Sequence, residues 1–134
     1  MATDRPTPRR GVHEDPFWAF VDAHELRLQQ CDECGHRRYP PAAVCPRCLD
    51  ERCTWRPIAG RGKVLAWTVF HRQYFRALAV PYAVVSVQTD EGPLLMGRLL
   101  EGRPAVGLPV RVRFSPVACA SGDWTVFDWV PESA

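Results

Sequence analysis

The stretch Cys31-Asp-Glu-Cys34-Gly35-His-Arg-Arg-Tyr39-Pro-Pro-Ala-Ala-Val-Cys45-Pro-Arg-Cys48 decides how this chain is read. It holds two Cys-x-x-Cys pairs separated by ten residues. Two residues between cysteines let the backbone curl so that both sulfurs of a pair face one ion. Two such pairs can then converge as four soft ligands on a tetrahedral Zn²⁺. Backbone N–H groups beyond the first cysteine of each pair can hydrogen-bond to its sulfur and damp the thiolate charge. Gly35 suits the left-handed backbone such a turn needs, and Pro46 stiffens the second turn.

The same four-thiolate spacing also holds iron in rubredoxin-type sites. A redox dithiol is the other reading, weakened because two pairs so close together behave as one site. A closed four-cysteine site leaves no open position for water, so the expected role of Cys31, Cys34, Cys45 and Cys48 is structural. Metal binding in so small a segment is folding free energy. Cys53 and Cys119 fall outside the pattern. Cys53 could extend or poison the site but reads better as an ordinary buried thiol, and Cys119, with no histidine near it to act as a base, reads as structural.

Working outward toward the N-terminus, residues 25–30 alternate as a strand leading into the first cysteine pair. Before them, Phe17, Trp18, Phe20 and Val21 are spaced for one helical face, with Asp15-Pro16 at its start. A helix this short is marginal alone and must dock on something. Residues 1–16 carry three prolines and no hydrophobic period, which predicts a mobile leader.

Toward the C-terminus the pattern turns to β. Residues 63–71 are apolar on both alternating faces and are expected to be covered on both sides. Residues 82–88 and 94–100 read as a hairpin about the Asp90-Glu-Gly-Pro93 turn. Residues 109–114 alternate, with Val110, Val112 and Phe114 inward, and residues 124–130 close the series. Five short strands with Gly/Pro turns predict a small barrel, because closure removes exposed edges. The expected class is therefore mainly β. It consists of a leader (1–16), a short helix and strand (17–30), a rubredoxin-like zinc ribbon (31–54) and a five-stranded OB-fold barrel (55–134), with a compact sandwich as the competing closure.

The chain has 134 residues, 46% hydrophobic and 24% charged, which is a globular composition. Its formal charge of +2 would be cancelled by four thiolates around one divalent ion, a poor footprint for a general nucleic-acid binder. No apolar run reaches membrane-spanning length, and the N-terminus lacks the apolar core of a secretory signal. These features predict a reducing, cytoplasmic setting in which cysteines bind metal rather than pair.

The order of these features carries a resemblance: Phe17-Trp18, residues 25–30, the cysteine run with Tyr39-Pro40-Pro41, Trp55 to Val64, Trp67-Thr-Val, Pro81-Tyr82, and Gly107-Leu-Pro-Val110. Together they resemble the zinc-ribbon/OB-fold family known as domain of unknown function 35, over residues 17–131. The resemblance implies an accessory subunit of a thiolase-type or lipid-transfer-protein-type enzyme, including steroid side-chain retro-aldolases. Such a subunit supports acyl-CoA binding while the partner holds the catalytic groups. Many relatives have a basic residue after the double proline, where this chain has Ala42.

Two rival readings stand beside it. A single-stranded nucleic-acid module would want a basic, aromatic strand face, and here Lys63, Trp67, Arg98, Arg111 and Arg113 are interrupted by Asp90, Glu91 and Glu101. A free-standing enzyme would need a nucleophile–base pair, and His71 beside Arg72 and Tyr74 supplies only half of one. No catalytic residue is therefore expected. The candidates for a partner interface are Phe17, Trp18, Tyr39 and Phe75. Arg72 and Arg76 are candidates for CoA phosphates, by charge-assisted hydrogen bonds.

Overall fold

The computed structural model describes residues 4–132. One helix, α1 (Asp15–Asp22), precedes eight strands: β1 (Arg27–Cys31), β2 (Arg37–Arg38), β3 (Cys53–Pro57), β4 (Arg61–Phe70), β5 (Tyr82–Thr89), β6 (Leu94–Leu99), β7 (Pro109–Cys119) and β8 (Gly122–Pro131). The first three strands form an antiparallel sheet in the order β2-β1-β3, and the last five close a barrel in the order β4-β5-β6-β8-β7. That order is the OB-fold topology. It settles the choice between barrel and sandwich.

The barrel closes where Arg61, Gly62 and Lys63 of β4 pair with Arg111, Val110 and Pro109 of β7. Gly62 is required there, because a Cβ would lie 2.3 Å from the Gln88 carbonyl oxygen. A single core runs through Phe17 and Val21 of the helix, Leu26 and Leu28, and the barrel residues Val64, Val85, Val87, Leu95, Val110, Phe127 and Trp129. Phe17 and Val21, four residues apart, are the buried face of α1. Pro16 occupies the first turn of that helix, where its missing N–H costs nothing.

Strand β4 departs from the expectation that it is covered on both sides. Val64 is buried, but Leu65, Trp67 and Val69 are 49%, 43% and 38% exposed. A register shift between Val64 and Ala66 sets Trp67 opposite Val85 and Val69 opposite Ala83. Directly opposed residues share a sheet face, so Trp67 and Val69 lie on the concave side with the fully buried Val85. They stay exposed because β7 leaves β4 after Lys63. From Leu65 to Phe70, β4 has a ladder on one edge only among the described residues.

Residues 1–3 of the expected mobile leader and residues 133–134 lie outside the described residues. The described part of the leader lies against the barrel. Asp4 accepts hydrogen bonds from the backbone N–H groups of Arg76 (2.5 Å) and Ala77 (2.8 Å), and Ala120 N–H donates to the Arg5 carbonyl (2.9 Å). These polar contacts, with Thr7 Oγ1 accepting from the Ser121 N–H at 3.2 Å, fix a segment that has no hydrophobic period of its own.

Candidate metal centre and partner surface

Each cysteine pair sits in a tight turn of the same construction. Gly35 N–H donates to the Cys31 carbonyl at 3.0 Å, and Leu49 N–H donates to the Cys45 carbonyl at 2.9 Å. Gly35 has φ of 78° and Leu49 has φ of 64°, so both turns end in the left-handed region. Glycine occupies that region freely, whereas Leu49 adopts it with a side chain 72% exposed. The Arg47 N–H points at the Cys45 sulfur at 3.4 Å.

The four sulfurs of Cys31, Cys34, Cys45 and Cys48 all lie within 4.8 Å of one another. Cys31 approaches Cys48 at 3.4 Å and Cys34 approaches Cys45 at 3.5 Å, each across the two turns. A disulfide needs about 2.05 Å, so these are not bonded pairs. Four sulfurs at about 2.3 Å from a central Zn²⁺ would stand roughly 3.8 Å apart, and the observed cluster fits that tetrahedron. The backbone N–H of Cys34 lowers the Cys31 thiol below its ordinary value, against an opposing push from burial. At Cys45, burial pushes upward, but the N–H groups of Cys48 and Arg47 outweigh it and bring the thiol to about 6. The other two thiols shift the opposite way. Cys34 is raised despite the N–H of His36. Cys48, despite the N–H of Asp50, is pushed up to about 12 by the Cys31 sulfur and by burial. Cys31 and Cys45 thus lean toward the thiolate a metal requires, while Cys34 and Cys48 hold their protons against them.

The two remaining cysteines take no part in this cluster. Cys53 pairs with Cys31 in the β1–β3 register, and its sulfur accepts a 3.6 Å contact from Gln29 Nε2. Cys119 is buried at the end of β7. His71 is exposed.

The interface candidates are placed differently from one another. Phe17 is 1% exposed and packs against Trp18, Tyr39 and Phe127 at ring-centroid distances of 5.3, 5.4 and 5.8 Å. Its helical spacing serves the core, so it is not open to a partner. Trp18 and Tyr39 are partly buried against that core, and Trp18 also meets Trp124 at 5.8 Å. Phe75 is half-buried, while Arg72 and Arg76 are exposed on the segment between β4 and β5. The Arg72 guanidinium lies over the Tyr74 ring, 5.2 Å from its centroid.

Residues not expected at a partner interface complete the surface. Leu65, Trp67 and Val69, with Tyr74 at 60% exposure, border the half-paired end of β4. Met96 is 63% exposed on β6. Phe70 stacks on Tyr82 at 4.9 Å. Alternation marked these strands but could not say which face the barrel leaves open. A separate cleft of about 550 Å³ lies between the ribbon and the β5–β6 turn, walled by His36, Arg37, Tyr39, Arg47 and Glu91.

A metal-gathering ribbon joined to a closed five-stranded OB barrel defines a zinc-ribbon/OB-fold protein. Residues 18–52 match the family described as the rubredoxin-like zinc ribbon domain of ChsH2, and residues 55–115 match the C-terminal OB-fold domain of ChsH2. The chain belongs to this ChsH2 (DUF35) family. It is 30% identical over 119 residues to the 3-oxo-4,17-pregnadiene-20-carboxyl-CoA hydratase alpha subunit of Mycobacterium tuberculosis, covering 87% of this chain and 37% of that protein. It is 32% identical over 108 residues to a probable enoyl-CoA hydratase alpha subunit of Thermomonospora curvata, covering 77% and 34%. The chain thus spans about a third of the length of these relatives. A solved chain of the Ltp2-ChsH2(DUF35) aldolase superposes with a TM-score of 0.83 at 26% identity, covering 93% of this chain and 98% of that one.

Proposed function

We propose that this chain is a non-catalytic accessory subunit of a thiolase-type acyl-CoA enzyme, of the aldolase kind that shortens steroid or lipid side chains. The observation that carries this reading is the near-complete superposition on the ChsH2 (DUF35) chain of the Ltp2-ChsH2 aldolase, rather than on a fragment of it. The likeness to two acyl-CoA hydratase alpha subunits supports the same chemical setting. The metal in this reading is Zn²⁺, held by Cys31, Cys34, Cys45 and Cys48, and its part is to fold the ribbon. The chain works in the cytoplasm.

In this reading the partner covers the half-paired end of β4. An unpaired strand edge carrying Leu65, Trp67 and Val69 offers both backbone hydrogen bonds and apolar anchors. Phe75, half-buried on the segment that follows β4, is a further contact for the partner. Arg72 and Arg76 stand on the adjoining segment, where they would meet the phosphates of acyl-CoA held at the shared boundary.

Co-expression with a thiolase-type acyl-CoA enzyme of the same organism tests the reading. The two should co-purify, and Trp67→Arg should abolish co-purification while zinc content and folding stay as in wild type. The isolated chain should turn over no acyl-CoA. Tight, salt-sensitive binding of single-stranded DNA or RNA, with no association to any thiolase-like protein, would favour the nucleic-acid module instead.

A further inference from the structure

Arg38 is the least satisfied charge among the described residues. It is 4% exposed, and its Nε, Nη1 and Nη2 atoms have no hydrogen-bond partner. It lies on the edge strand β2 directly opposite Gln29, so the two side chains share one face of the ribbon sheet. Gln29 offers Arg38 no acceptor. Its Oε1 takes the Ala42 N–H at 2.8 Å, and its Nε2 donates to the Ala42 carbonyl at 3.0 Å. On this face is a cavity of about 230 Å³, walled by His13, Gln29, Arg38, Glu51, Cys53 and Trp55 among others. Of the acids nearby, Asp50 is engaged by Arg52 at 2.9 Å and feels Arg38 only through its field. Glu51 is exposed on the wall and forms no ion pair with Arg38.

A buried guanidinium without a partner is costly, because it has given up water and received nothing in exchange. Native proteins keep such a group where something outside the chain satisfies it. The donors of a guanidinium form a planar fork, which matches two oxygens of one oxyanion. The cavity has room for a phosphate or carboxylate group with a few waters, and is too small for a nucleotide.

We propose that Arg38 and the cavity between β1, β2 and β3 form a binding site for a small oxyanion of the phosphate or carboxylate type, held bidentately by the Arg38 guanidinium. The site stands apart from the β4 surface, and it does not depend on the subunit reading, because the chain alone should bind the anion. The rival acceptor is Glu51, an exposed carboxylate on the cavity wall that makes no ion pair with Arg38.

The test uses the full zinc-loaded chain with ¹⁵N-labelled arginine, titrated with inorganic phosphate and in parallel with acetate. Sodium chloride holds the ionic strength constant. The Arg38 Nε–H resonance should move saturably with phosphate, with acetate, or with both, and the stronger of the two names the preferred oxyanion. Phosphate at ten times its dissociation constant should raise Tm by roughly 3–5 °C. The Arg38→Met variant should melt higher than wild type without phosphate and gain nothing specific on its addition. If Arg38→Met does not fold, the wild-type titration decides alone. A resonance that does not saturate with either anion, or an equal gain in Tm for Arg38→Met, would overturn the site. So would anion binding that appears only in a Glu51→Gln variant less stable than wild type, because Glu51 would then be the partner of Arg38.

Discussion

Replacing Phe17 by Ala separates a core role from an interface role. Phe17 is 1% exposed and touches rings from three places: Trp18 on its own helix, Tyr39 from the ribbon and Phe127 from the barrel. Truncation of a buried Phe costs about 3–5 kcal/mol from lost transfer and the cavity left behind. Three aromatic contacts at 5.3–5.8 Å, each worth up to about 1 kcal/mol beyond area burial, place Phe17→Ala in the upper part of that range. Against a total stability of about 5–15 kcal/mol, this is a large fraction. Urea denaturation of the isolated zinc-loaded chain reads it directly, as a lower midpoint at unchanged slope. The control is Trp67→Ala, which should change the unfolding free energy by less than about 1 kcal/mol, since Trp67 is 43% exposed. A Phe17→Ala chain within about 1 kcal/mol of wild type would refute the argument and return Phe17 to the surface.

Two further outcomes follow from the ribbon. Elemental analysis should find about one zinc and no iron per chain. Cys31→Ser and Cys48→Ser should lose the metal, whereas Cys119→Ser should retain it, since Cys119 is not part of the sulfur cluster. The second outcome is alkaline. Burial raises the Tyr39 phenol above its usual value of 10. The folded state therefore disfavours the phenolate, so this contribution to stability is complete below about pH 10 and is lost as pH rises through the higher folded value. Tyr39→Phe should lose less stability than wild type between pH 10 and 12, measured by denaturation at each pH. An identical decline in both would show that Tyr39 does not titrate as described.

The metal site was legible because its chemistry is local. Two residues between cysteines and a left-handed Gly35 are properties of a turn, and a turn is short enough to read from sequence. The closing strands were legible for a similar reason, since Val110 faces the core and Arg111 faces solvent by simple alternation. What escaped depends on partners distant in sequence. Residues 63–71 carry apolar groups on both faces, the pattern of a covered strand. Whether they are covered depends on how far β7 follows β4, and that pairing ends at Lys63. Phe17 and Trp18 are adjacent in one helix, yet one is sealed and the other only partly buried. Spacing shows that a helix has an apolar face, but not what rests on it. The burial of Arg38 had no signal at all, because a two-residue edge strand has no period.

The same strand fixes which surface a partner can use. The ribbon meets the barrel near the Arg61 end of β4, where Arg37 donates to the Glu91 carbonyl at 3.4 Å and Asp90 N–H donates to Arg61 at 3.0 Å. The half-paired edge lies at the Phe70 end. Seven residues of extended chain separate Lys63 from Phe70, or about 23 Å at 3.3 Å per residue. A standard interface covers about 800 Å² on each side, roughly a tenth of the 8156 Å² this chain exposes. A patch of that size centred on Trp67 would reach Tyr74 and Phe75 but leave the sulfur cluster outside. One centred on the ribbon would leave Trp67 in solvent. Loss of zinc and loss of the partner should therefore be separable, with Trp67→Arg affecting only the second. A Trp67→Arg chain that binds its partner normally would move the interface to the ribbon, where Trp18 and Tyr39 remain the half-exposed aromatics able to anchor it.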